Sequence, residues 1–177
     1  MFLIILDILV TSVLFGFAIW TFLWAFGKSK GWKIYFELDD IDRIAVKTVI
    51  LSGIIYLIIL ILNLPNTNRI FGKYWFAFWI YPFTCFLLPQ LFWFSTARTS
   101  RIFRVVIAVW TLIILHIDKY VIIVTSFHRD YSGKFEFANE FLVAIMLKWL
   151  LNIGVFSFIL ILLTTMNKKW SRKADRV

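Results

Sequence analysis

Between Phe103 and Phe127 an apolar run long enough to cross a bilayer carries His116, Asp118 and Lys119 well inside it. Translocon insertion scales charge roughly 2.5–3.5 kcal/mol for each Asp or Lys at the centre of a spanning helix. Such residues need protein or water around them. The rest of the chain is therefore expected to form a bundle that shields this segment from lipid. Within it Arg104, Thr111, Asp118 and Thr125 recur every seven residues. At 3.5–3.6 residues per turn they share one face, which is expected to point into the bundle. His116 and Lys119, three apart, share another face. The helix then needs protein on more than one side.

Four further apolar runs have comparable length. The expected spans are residues 2–26, 44–64, 74–94, 103–127 and 141–166, making one all-α transmembrane domain of five helices over residues 1–177. The first run has no basic start and no small-residue cleavage site, so it reads as a span and not as a signal peptide. Asp7 lies near one end of it, as a carboxylate close to the headgroups or as a buried partner or proton site. Before the second span stand Glu37, Asp39, Asp40 and Asp42, suited to the positive end of its helix dipole. Pro65, Asn66 and Asn68 mark a turn. Pro82 and Pro89 fall inside the third span and predict kinks, with freed carbonyls met by neighbouring helices. The aromatics of its first half form an interfacial belt or, alternatively, a groove for a quinone tail.

Composition agrees. The chain is 62% hydrophobic and only 16% charged, well away from a soluble domain. Its net charge of +9 suggests nucleic acid at first sight, but no soluble basic module is present. The positive charge flanks the spans instead, where it sets topology and meets anionic lipid. Lys28, Lys30, Lys33, Arg43, Lys47, Arg98, Arg101, Arg104, Lys168, Lys169, Arg172, Lys173 and Arg176, thirteen in all, fall on one side. Only four, Arg69, Lys73, Arg129 and Lys134, fall on the other. The positive-inside rule then places the N-terminus outside and the C-terminus in the cytoplasm.

No catalytic constellation and no metal-ligand spacing of Cys and His is visible. Cys85 is the single cysteine and forms no internal disulfide. His116 and His128 are twelve residues apart, which disfavours haem ligation by the two within one bundle. No cofactor is expected in the chain itself. Counting residues from the outer ends of their spans puts Asp118 and Lys148 both roughly 12 Å deep. They are expected to pair, directly or through water, with Lys119 nearby. That pair is either a static lock on helix register or part of a proton relay through Asp118, His116 and Lys148. Lys148 and Asn152, four apart, share a face of the last span. His128, Arg129, Asp130 and Tyr131 lie just outside the membrane, as a solvated turn or as a docking loop for an extramembrane partner.

The segments PQLFWF (Pro89 to Phe94) with Arg98, DKYVIIVTSFHRDY (Asp118 to Tyr131) and FGKYWFAFWI (Phe71 to Ile80) resemble the NrfD/PsrC-type membrane subunits. The likeness is greatest to the quinol-oxidising subunit of bacterial alternative complex III. It covers about a third of the chain and corresponds to the C-terminal half of those subunits. Where the family usually has Glu-Arg, this chain has Asp118-Lys119. The resemblance implies a multi-pass subunit of a respiratory quinol oxidoreductase in the bacterial cytoplasmic membrane, supplying a second helical bundle and part of a proton path. It also implies partner subunits bearing haem and iron–sulfur clusters, a separate chain carrying the N-terminal bundle, quinol at an interface, and His128 to Tyr131 on the periplasmic side. Two other readings stay open: a purely structural accessory membrane subunit, and a small transporter or channel.

Overall fold

The computed structural model describes the backbone of residues 2–30, 35–63, 75–129 and 136–174, and the side chains of residues 5–28, 39–62, 79–80, 82–116 and 143–168. Everything described is helical or connects helices, with no strand among the described residues. The elements are α1 (Phe2–Lys30), α2 (Tyr35–Asn63), α3 (Trp75–Gln90), a 3₁₀ turn (Leu91–Trp93), α4 (Ser95–Thr99), α5 (Arg101–Arg129) and α6 (Glu136–Ala174). Among the described residues three helical segments are long and apolar enough to cross a membrane: Ile5–Lys28, Asp39–Leu62 and Val143–Lys168.

α1 is the central helix. Every residue from Ser12 to Ala18 is buried, because α2, α5 and α6 all pack on it. Over that stretch the helix is covered on all sides, and it is apolar nearly all round. Its core side chains Val10, Val13, Leu14 and Phe17 interleave with Val46, Val49 and Ile50 of α2, Ile107 of α5, and Phe156 and Leu160 of α6. α6 runs parallel to α1, so Ser12 meets Asn152 and Gly16 meets Phe156. At Gly16 there is no room for a side chain: a Cβ there would overlap Phe156. Glycine lets the two helices close at that point, in the manner of small residues at membrane helix contacts.

α2 starts at Tyr35, about nine residues before the expected start of its apolar run. Its acidic residues therefore do not precede the helix; they occupy its first turns. α6, at 39 residues, also outruns its apolar run at both ends. α3 keeps Pro82 in its interior and ends one residue past Pro89, where the chain passes into the 3₁₀ turn and then α4. Proline removes a backbone donor from the preceding turn of α3. The junction is tied to α2: Gln90 Nε2 donates to the Ile50 carbonyl (3.1 Å) and Trp93 Nε1 to Gln90 Oε1 (2.8 Å). A side chain at Gly53 would meet Gln90 Nε2 at 2.8 Å and Pro89 Cβ at 2.9 Å. Beyond α4, Arg101 donates to the Lys28 carbonyl (3.0 Å), a cation at the C-terminal end of α1.

Candidate functional site

α5 is amphipathic, whereas the flanking helices are apolar nearly all round. Its polar face points inward, as the seven-residue spacing predicts: Arg104 is 0% exposed and Thr111 is buried. Asp118 and Thr125, the next members of the series, belong to α5, and their side chains lie outside the described residues.

A fully buried guanidinium needs a counter-charge, because charge in a low-dielectric interior is unstable unless paired and hydrogen-bonded. Asp42 of α2 supplies it. Arg104 Nη1 donates to Asp42 Oδ2 at 2.8 Å and Nη2 donates to Oδ1, a bidentate fork. Trp20 of α1 adds a third donor through Nε1 to Oδ1 (2.9 Å). Three rings surround the guanidinium carbon: Trp24 at 4.2 Å, Phe17 at 5.3 Å and Phe92 at 6.0 Å from their centroids. These distances place the cation on aromatic faces whose quadrupoles attract it. Phe17, Thr21 and Trp24 follow one another at helical spacing, so one face of α1 is given over to Arg104. Two atoms in this region, Arg104 Nε and Thr21 Oγ1, are buried without a hydrogen-bond partner.

The acidic cluster thus does more than favour a helix start. One of its members, Asp42, closes an ion pair that joins α2 to α5, with α1 as the third wall. Asp39 and Asp40 stay exposed. The sequence reading counted Arg104 among the basic residues flanking the membrane and gave it no partner. The signal was the buried-face period of α5, which required a counter-charge on a neighbouring helix.

Toward the other end of the bundle a second polar seam joins α1, α5 and α6. His116 Nδ1 lies 2.8 Å from the Leu112 carbonyl, and Trp149 Nε1 donates to His116 Nε2 at 2.6 Å. A carbonyl only accepts and an indole N–H only donates. His116 is therefore the neutral tautomer with its proton on Nδ1. Phe15 lies against both rings, 5.6 Å from His116 and 6.1 Å from Trp149. Ser12 Oγ donates to Asn152 Oδ1 (3.0 Å), and both side chains are buried. One turn further out Lys148 is exposed.

The expected site residues are thus divided. His116 and Lys148 are placed, on facing parts of α5 and α6; Asp118 and Lys119 are on α5, and their side chains lie outside the described residues. The expected pairing of Asp118 with Lys148 lies outside them too. His128 and Arg129 end α5, with side chains outside the described residues, and Asp130 and Tyr131 are outside them altogether. Of the aromatic belt, Trp79 is described, with its ring 5.4 Å from that of Phe83. No group of His, Cys, Asp and Glu among the described residues could hold a metal ion. Neither family models, nor curated proteins, nor solved structures give a match to this chain.

Proposed function

We propose that this chain is a five-span membrane subunit of a respiratory quinol-oxidoreductase assembly of the NrfD type, with its C-terminus in the cytoplasm. The observation that carries the reading is the pair of segments Pro89 to Phe94 with Arg98, and Asp118 to Tyr131, which resemble that family. The geometry is compatible with it in two respects. α5 turns Arg104 and Thr111 into an apolar bundle, as a shielded helix must. The first of the two segments forms the junction of α3 and α4, where Pro89 and Gln90 are packed onto α2. In this reading the chain supplies the second helical bundle. A partner chain supplies the first, and haem and iron–sulfur clusters reside in other subunits. Quinol is bound, if at all, at the interface with those partners.

The second reading, a structural accessory subunit with no quinone or proton role, is favoured by a specific observation. Asp42 has both oxygens engaged, and His116 has both ring nitrogens engaged. Arg104 and Trp20 hold Asp42 as a counter-ion that joins α2 to α5, and Trp149 and the Leu112 carbonyl hold the His116 ring in place, which are structural roles. Proton traffic, if the chain supports it, runs through Asp118, His116 and Lys148.

Purification of the tagged full chain from its native membrane tests the proposal. Co-purification of haem- and iron–sulfur-bearing subunits, with a chain resembling the N-terminal bundle, is expected. Purification as a homo-oligomer with solute flux in vesicles overturns it in favour of a transporter. If the assembly forms, Asp118→Asn separates the two subunit readings. Loss of proton coupling with normal assembly supports the proton path, and unchanged coupling supports the structural role.

A further inference from the structure

α4 forms a corner at one end of the bundle. It is bounded by two extended residues, Phe94 (φ −75°, ψ 130°) and Ser100 (φ −76°, ψ 119°), so the chain changes direction on either side of it. Of its side chains only that of Ala97 is buried. Arg101 sets the level of the corner. Its guanidinium donates to the Lys28 carbonyl (3.0 Å), and Lys28 ends the membrane-length segment Ile5–Lys28 of α1. The corner therefore stands where a helix of that length leaves the hydrocarbon and meets headgroups.

Two cations face outward there. Arg101 is exposed and spends a donor on an uncharged carbonyl, which leaves its charge unneutralised. Arg98 is exposed too, and its side chain makes no hydrogen bond or ion pair with the described residues. No carboxylate occurs in the sequence from Tyr74 to Ile117. On the first turns of α2, Asp42 is taken by Arg104, and Asp39 and Asp40 pair with neither arginine.

Large apolar side chains flank the two arginines. Trp93 (64% exposed) and Phe94 (67%) precede α4, and Ile102 (80%) follows it. From Ile102 the exposed surface of α5 continues through Val106, Val109 and Ile113. These are spaced four, three and four apart, which makes one stripe along the helix. Aromatic rings sit at headgroup level in membrane proteins, and basic side chains beside them attract anionic headgroups. An acidic protein segment would satisfy the arginines alone. A phospholipid satisfies the arginines with its phosphate and the stripe with its hydrocarbon.

We propose that Arg98 and Arg101 bind the headgroup phosphate of one anionic phospholipid, whose acyl chains lie along the face of α5 from Ile102 to Ile113. The inference does not depend on the respiratory reading, since it asks only for a bilayer around the bundle.

Native mass spectrometry of the purified full chain tests it, with phosphatidylglycerol and phosphatidylcholine of equal chain length as probes. Phosphatidylglycerol is expected to be retained in preference. Arg98→Gln, at an exposed side chain, is expected to weaken its retention by about fivefold and to leave phosphatidylcholine unchanged. Lys148→Gln, at an exposed cation toward the other end of the bundle, is expected to change neither. Equal retention of the two lipids overturns the proposal. So does a loss with Lys148→Gln as large as that with Arg98→Gln, or displacement of the lipid by inorganic phosphate or by a glutamate-rich peptide. A phosphatidylglycerol with a photoreactive acyl chain places the hydrocarbon in the unmodified protein. Cross-links concentrated on residues 102–113 support the proposal, and cross-links spread evenly over the exposed faces of α5 and α6 overturn it.

Discussion

Arg104 of α5 and Asp42 of α2 form a bidentate ion pair in the interior of the bundle, with the Trp24 indole 4.2 Å from the guanidinium carbon. The pair connects two helices that are not neighbours in sequence, across a face of α1 that supplies both a donor to the carboxylate and rings for the cation. Removing either partner strands a charge, while removing both removes the desolvation penalty along with the attraction. The pair therefore fixes the arrangement of helices more than it adds net stability.

Asp42→Leu or Arg104→Met alone is expected to destabilise the chain by about 3–5 kcal/mol, the usual consequence of breaking a buried pair. The double substitution Asp42→Leu with Arg104→Met is expected to recover most of that. Thermal unfolding in detergent, run as a double-mutant cycle, measures the coupling. A double variant as unstable as the sum of the singles rules out this description of the pair.

Gly16→Ala is expected to push α6 off α1, because the added methyl meets Phe156. Overpacking of this kind costs typically about 1–3 kcal/mol. Gly154→Ala is the internal control, since nothing lies within 4 Å of a Cβ there and alanine favours helix. Gly16→Ala combined with Phe156→Gly should restore the close approach but leave a cavity, because Phe156 Cβ itself is the atom that the added methyl meets first. The comparison of melting temperatures needs all three variants.

Much of this architecture is legible in the sequence, for a simple reason. Apolar runs of membrane length announce helices, and the seven-residue period of Arg104 and Thr111 announces which face of α5 is buried. What escaped was pairing between helices. Residues 27–43 read as a polar connection because hydropathy sees the charges of Asp39, Asp40 and Asp42 and not the helix that already carries them. Carboxylates are favoured in the first turns of a helix, so α2 begins earlier than its apolar run. The partner of Arg104 was hidden in that misassigned stretch. The depth arithmetic that aligned Lys148 with Asp118 considered only consecutive helices. Applied to α1, it puts Asp7 within about one turn of Lys148 in height, because α1 and α6 run parallel. The contact of His116 with Trp149 left no trace of this kind: an isolated tryptophan at spacing 33 carries no signal in a single sequence.

The basic ends of the helices make the topology testable without a structure. With Cys85, which is buried, replaced by alanine, single cysteines are introduced at position 99 and at position 132. Thirteen basic residues on one side predict that position 99 is labelled only after permeabilisation of the inner membrane, and position 132 without it. The reverse pattern inverts the orientation and removes the cytoplasmic assignment of the C-terminus.

Trp149→Phe probes the tautomer assigned to His116. The substitution keeps a ring beside Phe15 and His116 but deletes the indole donor 2.6 Å from Nε2. A ring nitrogen deprived of its donor in a half-buried site is expected to destabilise the chain by about 1–3 kcal/mol. His116→Ala removes the acceptor and leaves the indole N–H of a partly exposed tryptophan, which water can satisfy, so its polar penalty is smaller. The two changes together should cost less than their sum, because the second deletion has no partner left to strand. Nitrogen chemical shifts of labelled His116 give the independent reading: a protonated Nδ1 and an unprotonated Nε2 in the unmodified chain, and a loss of the single fixed tautomer in Trp149→Phe. Equal populations of both tautomers in the unmodified chain contradict the geometry.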